Sequence, residues 1–169
     1  MSWGKLAAAA PDIAAAGQDL LYQWPIGQGL LTTVRDDSPP RSHPVYVAIK
    51  DGRLLTFANK SAKLRDLEQD GRYALHSHYD PARPNEFMVR GRAVVIDGAE
   101  RDRIAADWYF KTDDTYLLVE LLVEDALLGR RANDDEWPPR YSRWSARTDE
   151  FPDKEPSTRL TSATGDEEP

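Results

Sequence analysis

The chain has 169 residues, with 22 Lys and Arg against 29 Asp and Glu, a net charge of −7, and no cysteine. That length suits about one domain. The acidic excess argues against a protein that binds nucleic acid through clustered basic side chains, and the lack of Cys excludes disulfide scaffolds, thiol catalysis, Cys-ligated zinc and iron–sulfur clusters.

At the N-terminus, Lys5 followed by Leu6-Ala7-Ala8-Ala9-Ala10 is too short for the apolar region of a secretory signal, and Asp12 interrupts it. The segment reads as a helix, with Pro11 suited to a first turn and Ile13, Leu20 and Leu21 forming a partial stripe until Pro25, Gly27 and Gly29 end it. Gly29–Val34 reads as a strand, and Asp36-Asp37-Ser38-Pro39-Pro40 as a turn cluster. Pro44–Lys50 alternates, with Val45, Val47 and Ile49 on one face. Asp51-Gly52 then joins it to Arg53–Ala58, a strong hairpin signal. Ala62–Gln69 reads as a short helix that Ser61 can cap, Leu64 and Leu67 bury, and Gly71 ends.

Strands follow at Arg72–Tyr79 and Glu86–Ile96. Asp97 and Glu100 have capping-box spacing ahead of a helix over Ala99–Phe110, with Ile104 and Trp108 on one face. Thr115–Val123, apolar on both faces except Glu120, reads as a buried strand, and Tyr141–Ala146 as the last. From Thr148 on, seven acidic residues oppose only Lys154 and Arg159, a local charge of −5 against −2 for residues 1–147. With few large apolar residues, 148–169 is expected to be a disordered acidic tail. No internal repeat interrupts the pattern. Six or seven antiparallel strands with few helices make the expected architecture a mainly β barrel spanning 1–147. No apolar run reaches the roughly 20 residues of a membrane span. Neither nucleic acid nor membrane is expected as a partner, and a cytoplasmic location fits.

One segment carries a binding mechanism. In Asn59-Lys60-Ser61-Ala62-Lys63 a strand turns into a helix N-terminus, where free backbone N–H groups and the helix dipole favour an anion. Ser61 adds a hydroxyl, Lys60 and Lys63 add charge, and Arg65 lies a turn further on. The pattern describes a small phosphate cradle, and equally an ordinary Ser cap with solvated lysines.

Around this segment the chain resembles the flavin-binding split-barrel superfamily of pyridoxamine 5′-phosphate oxidase, and in particular its short branch that includes deazaflavin-dependent reductases. The resembling stretches run from Gly29-Leu30-Leu31-Thr32-Thr33-Val34 and Pro44-Val45-Tyr46-Val47 through Asp51-Gly52-Arg53-Leu54, Ser61–Leu67 and Asp70–His76. Gly91-Arg92-Ala93 and Arg140-Tyr141-Ser142-Arg143-Trp144 complete them. The resemblance implies a homodimeric split barrel that binds FMN, or alternatively deazaflavin F420, in a cleft between subunits. It implies an oxidoreductase that passes hydride to or from a small organic substrate. Ser61 and Lys63 would hold the cofactor phosphate. Ala62 stands where the oxidase often has Arg, so one contact is missing or replaced by Lys60 or Arg65. Tyr46, Val47, Thr56, Phe57, Ala58 and Asn59 would face the cofactor. A non-catalytic flavin or haem binder is the remaining alternative. No second basic cluster for a substrate phosphate is evident, which argues against pyridoxamine-phosphate oxidation itself.

Several other features have two readings. His76 and His78 share a strand face and, with His43, have metal-ligand spacing; a role for His76 against the cofactor or substrate fits better than a metal site, and no metal is assigned. Pro138-Pro139-Arg140-Tyr141 matches a proline-rich ligand pattern, yet reads as the turn into the last strand. Trp137 and Trp144 are expected in the core, and Tyr79–Pro84 in a loop framing a substrate site. Neither a Ser–His–Asp constellation nor a carboxylate pair presents itself, so no side chain is assigned to catalysis; a cofactor would carry that chemistry.

Overall fold

A computed structural model describes residues 1–35, 38–81, 84–133 and 136–146. The acidic segment 148–169 lies outside the described residues, as does the Asp36-Asp37 part of the turn cluster. The elements are α1 (Trp3–Ala9), α2 (Pro11–Leu21), β1 (Gln28–Arg35), β2 (Ser38–Tyr46), β3 (Ala48–Lys50), β4 (Arg53–Asn59), α3 (Ala62–Gln69), β5 (Arg72–His76), β6 (Glu86–Ile96), α4 (Gly98–Ala105), β7 (Tyr116–Arg130) and β8 (Arg140–Ser145). All described strand pairings are antiparallel, in the order β2-β1-β5-β6-β7-β4-β3, with β8 on β7.

The strands at the two ends of this order are consecutive in the chain, separated only by Val47. The opposite edges of the sheet are therefore one bent run, and the sheet curls into a split barrel. Pro44–Lys50 is read from sequence as a single strand; counted so, the sheet has seven strands. The bend has a cause. Val47 N–H donates to Gly27 O at 2.8 Å rather than to a neighbouring strand, and Thr56 Oγ1 donates to Tyr46 O at 2.8 Å across the seam.

Local chemistry explains most boundaries. Asp51 (φ 53°) and Gly52 (φ 69°) both take left-handed conformations, as a two-residue hairpin between β3 and β4 requires. Pro11 opens α2, and Gly71 (φ 78°) closes α3 with its N–H turned toward Asp66 O. Four readings are corrected. Ser38-Pro39-Pro40 belong to β2 and not to a turn; β2 is an edge strand, and Pro39 and Pro40 fall opposite the register shift between Thr33 and Arg35, outside its paired positions. The helix after Asp97 ends at Ala105 and not Phe110, and its capping box does not form, because Glu100 pairs with Arg53 instead. The strand from Arg72 ends at His76 rather than Tyr79. The buried strand runs on past Val123 to Arg130, held along nearly its whole length by β6.

Two apolar clusters result. The larger fills the barrel between the sheet and α1, α2 and α3, with Leu6, Leu21, Leu31, Leu54, Leu75, Phe87, Val89 and Leu121 at 0% exposure. Each such side chain contributes about 1.5–3 kcal/mol. The smaller lies on the other face of β4, where Leu55, Phe57 and Leu118 pack under Ile104 of α4. β4 is thus covered on both faces, and its C-terminal end emerges between the clusters at the start of α3.

Candidate functional site

A cavity of about 410 Å³ opens where that end of β4 meets the barrel seam. β2 contributes Pro44, Val45 and Tyr46, and β1 contributes Gln28. β4 contributes Phe57 and Asn59, which share a face by strand alternation. Lys63 of α3, Phe110 of the α4–β7 connection and Tyr116 at the start of β7 complete the lining. The walls are aromatic. The Tyr46 and Phe110 ring centroids lie 6.0 Å apart, and those of Phe110 and Tyr116 5.6 Å apart. Beneath, Trp108 meets Phe57 edge-on at 4.9 Å, and the Arg101 guanidinium lies 5.6 Å from the Phe57 ring centroid.

The polar end of the cavity is the start of α3. Ser61 occupies the N-cap position with extended backbone (φ −143°, ψ 176°), but its hydroxyl makes no capping bond. Ser61 Oγ is buried and without a partner. Lys63 lines the cavity, and burial alone lowers its ammonium pKa below the usual lysine value. A cation short of solvation beside an unpartnered hydroxyl, at a helix N-terminus, is an arrangement that an anion completes. One turn on, Asp66 anchors the helix: it is 2% exposed, accepts from Thr33 Oγ1 at 3.0 Å, and faces Arg35 and Arg41 at 3.6 and 3.5 Å. His43 lies on β2 between Arg41, which reaches Asp66, and Val45, which lines the cavity; its Nε2 is buried without a partner.

The expected cofactor-facing residues therefore divide. Tyr46, Phe57, Asn59 and Lys63 line the cavity; Ser61, at the N-cap of α3 between Asn59 and Lys63, is not among the lining residues. Val47 and Ala58 belong to the barrel core, and Thr56 is occupied with the seam. Lys60 is exposed, and its N–H donates to Thr115 O at 3.1 Å. His76 is not among the lining residues: its Nδ1 donates to Ser77 O at 2.6 Å, and its Nε2 lies 3.5 Å from Glu86 Oε2. His78 packs against Trp24, with ring centroids 5.7 Å apart. Among the described residues no group of three or more His, Asp or Glu is placed to hold a metal ion. Trp144 packs on the core as expected, but Trp137 does not; it is 78% exposed. Gln28, Phe110 and Tyr116 are lining residues that sequence reasoning missed. Their only signal was the density of aromatics in Trp108-Tyr109-Phe110 and at Tyr116.

No protein-family model and no curated relative matches the sequence. Solved structures do. A haem-binding protein from Mycobacterium smegmatis aligns at 18% identity and a TM-score of 0.57, over 78% of this chain and 57% of that one, so the chain spans little more than half its length. PhzG from Burkholderia lata, solved with tetrahydrophenazine-1-carboxylic acid, aligns at 15% identity and a TM-score of 0.61, over 86% and 85% of the two chains. A protein from Clostridium acetobutylicum related to general stress protein 26, of the pyridoxinephosphate oxidase family, aligns at 12% identity and a TM-score of 0.55, over 85% and 96%. At these identities the likeness is one of fold, and the fold is that of the pyridoxamine 5′-phosphate oxidase-like split barrels.

Proposed function

We propose that the chain is a flavin-type oxidoreductase that binds FMN in this cavity, phosphate toward Ser61 and Lys63 and ring toward the aromatic walls, and exchanges hydride with a small organic substrate. The carrying observation is a desolvated lysine in a cavity walled by the Tyr46, Phe110 and Tyr116 rings, two residues beyond the unpartnered Ser61 hydroxyl at the same helix start. The residues fit a phosphate-bearing planar ring. Ser61 Oγ and the first N–H groups of α3 would donate to phosphate oxygens, and Lys63 would neutralise their charge, relieving the burial that now opposes its own. Bound flavin would supply the two-electron chemistry, while the chain's residues bind and orient it and exclude water. Deazaflavin F420 also presents a phosphate, so this end of the cavity fits either cofactor.

The proposal includes a homodimer and a cytoplasmic location. The split-barrel resemblance implies a site shared between subunits, and β1 and β6 carry Leu30, Val94 and Val95 at 36, 47 and 39% exposure. No helix of the described residues is long and apolar enough to cross a membrane.

The test is titration of the purified full chain with FMN and F420, followed by flavin fluorescence and calorimetry, with haem as a control ligand. Saturable binding of FMN or F420 is expected. Lys63→Glu should weaken it by about 100-fold and Ser61→Ala by about tenfold, the losses for a charge-assisted contact and a hydrogen bond. Affinity unchanged in a folded Lys63→Glu protein overturns the site, and binding of haem alone overturns the oxidoreductase reading.

A further inference from the structure

One wall of the cavity belongs to neither a helix nor a strand. Residues 106–115 connect α4 to β7, and Phe110 is the residue of this segment that lines the cavity. Its ring lies tilted at 52° to Tyr46 and 59° to Tyr116, so it forms one jaw opposite rings carried by the barrel. The segment is rooted by Trp108, whose ring meets Phe57 at 75°. Polar contacts hold it at its edge: Lys50 Nζ donates to Asp107 O at 3.0 Å and pairs with the Asp107 carboxylate, and the Tyr22 and Tyr109 hydroxyls meet at 3.3 Å. The Asp107 side chain is 86% exposed, and an ion pair so open to water holds weakly. Inside the same segment, Trp108 Nε1 and Thr112 Oγ1 are buried without partners. Farther along, Arg101 Nη2 donates to Asp113 O at 2.6 Å and Lys60 N–H to Thr115 O at 3.1 Å, so hydrogen bonds fix the end of the segment while ring packing places Phe110, whose ring can meet the face of a flat ligand.

We propose that Phe110 is the specificity-determining residue of the cavity. With Tyr46 opposite, it selects a planar aromatic ring and disfavours a sugar phosphate that lacks one. The inference rests on the reading of the α3 end as a phosphate site, and riboflavin, which carries the ring without the phosphate, separates the two.

The experiment measures the affinities of FMN, riboflavin and ribose 5-phosphate for the full chain by calorimetry at one ionic strength. It is repeated for Phe110→Ala, Phe110→Trp and Lys63→Glu, with thermal unfolding confirming that each is folded. The parent should prefer FMN to ribose 5-phosphate by at least about 100-fold, and Phe110→Ala should lower FMN and riboflavin affinity about tenfold while sparing ribose 5-phosphate. Phe110→Trp should keep the preference. Lys63→Glu should weaken FMN and ribose 5-phosphate and spare riboflavin. Equal losses for all three ligands in Phe110→Ala, or none, overturn the role of Phe110 while leaving the phosphate reading intact. Riboflavin binding that depends on Phe110, with FMN binding indifferent to Lys63, overturns the phosphate reading and leaves the jaw. A parent that binds none of the three overturns both.

Discussion

Gly17 sits in the middle of α2 on the face that covers the barrel, and helix propensity alone says that Gly17→Ala stabilises the protein by about 1 kcal/mol. The packing says the opposite. A Cβ at this position would lie 2.4 Å from both Cε2 and Cζ of Phe87 and 2.7 Å from Cε1. Phe87 has no room to retreat: it is 0% exposed, and Trp3 meets it edge-on at 6.0 Å and 74°. Overpacking of a filled core costs about 1–3 kcal/mol, and a contact this short against a held ring belongs at the upper end. The net effect of Gly17→Ala is then a loss of about 1–2 kcal/mol, or about 2–8 °C in Tm for a chain of this size. Thermal and urea unfolding measure it directly. Phe87→Leu removes part of the obstructing ring, so the double variant should be more stable than the two single losses added together, with a coupling of about 0.5–3 kcal/mol. A rise in Tm for Gly17→Ala, or strict additivity in the cycle, refutes the packing argument and leaves propensity as the governing effect.

Three further outcomes follow from named contacts. Thr56→Val keeps the side-chain shape but leaves Tyr46 O unpaired at the seam, and should lower stability by about 1–3 kcal/mol in urea unfolding while also weakening FMN binding through Tyr46. The Asp70 carboxyl is held at about 2, below its ordinary 3.8, chiefly by its hydrogen bond from Arg72, so it favours the folded state above pH 3.8 and loses that effect as pH falls toward 2. Arg72→Ala should move the Asp70 titration upward in carboxyl NMR and shift acid unfolding to higher pH. Burial lowers the Lys63 pKa below 10.5, so its charge opposes folding at neutral pH and that opposition fades as pH rises toward 10.5. Lys63→Met should therefore leave the ligand-free protein as stable or more stable at pH 7, with the gain shrinking at high pH, while anion affinity falls.

What was legible in the sequence is what local chemistry decides. The Asp51-Gly52 hairpin, the Pro11 helix start, the Gly71 end of α3 and the whole of β6 follow from turn residues, proline placement and alternation that act over a few positions. What was not legible depends on partners far along the chain. β7 runs past Val123 because β6 offers a pairing partner there, although Glu124 and Asp125 interrupt the apolar pattern; Asp125 is held by Arg90 and Arg143 from the strands on either side. The capping box at Asp97 fails because Glu100 is drawn to Arg53 on β4. The site divides in the same way. Ser61, Lys63, Phe57 and Asn59 lie within seven positions of one another, so a strand-to-helix motif reveals them together. Tyr116 reaches the cavity because β7 pairs it with Asn59 of β4, and Phe110 because the segment after α4 returns to the barrel; no short-range spacing encodes either.

The polar groups at the start of α3 argue for the adjoining cavity as the working part of the molecule. Elsewhere the half-buried charges are paired: Arg53 lies between Glu100 and Glu120, Asp125 between two arginines, and Asp66 accepts from Thr33. Some buried polar atoms break that economy. Ser61 Oγ, His43 Nε2, Trp108 Nε1 and Thr112 Oγ1 are buried without partners, and Lys63 is the lysine whose solvation burial has reduced. A buried polar group with no partner costs about 1–3 kcal/mol, and stability alone would replace such groups with apolar ones of similar shape. Gln23 Oε1 and Arg90 Nε are buried without partners away from the cavity, so number alone does not mark it; what sets it apart is an unpartnered Ser61 hydroxyl beside a desolvated lysine at one helix start, an arrangement completed by a ligand that brings its own acceptors.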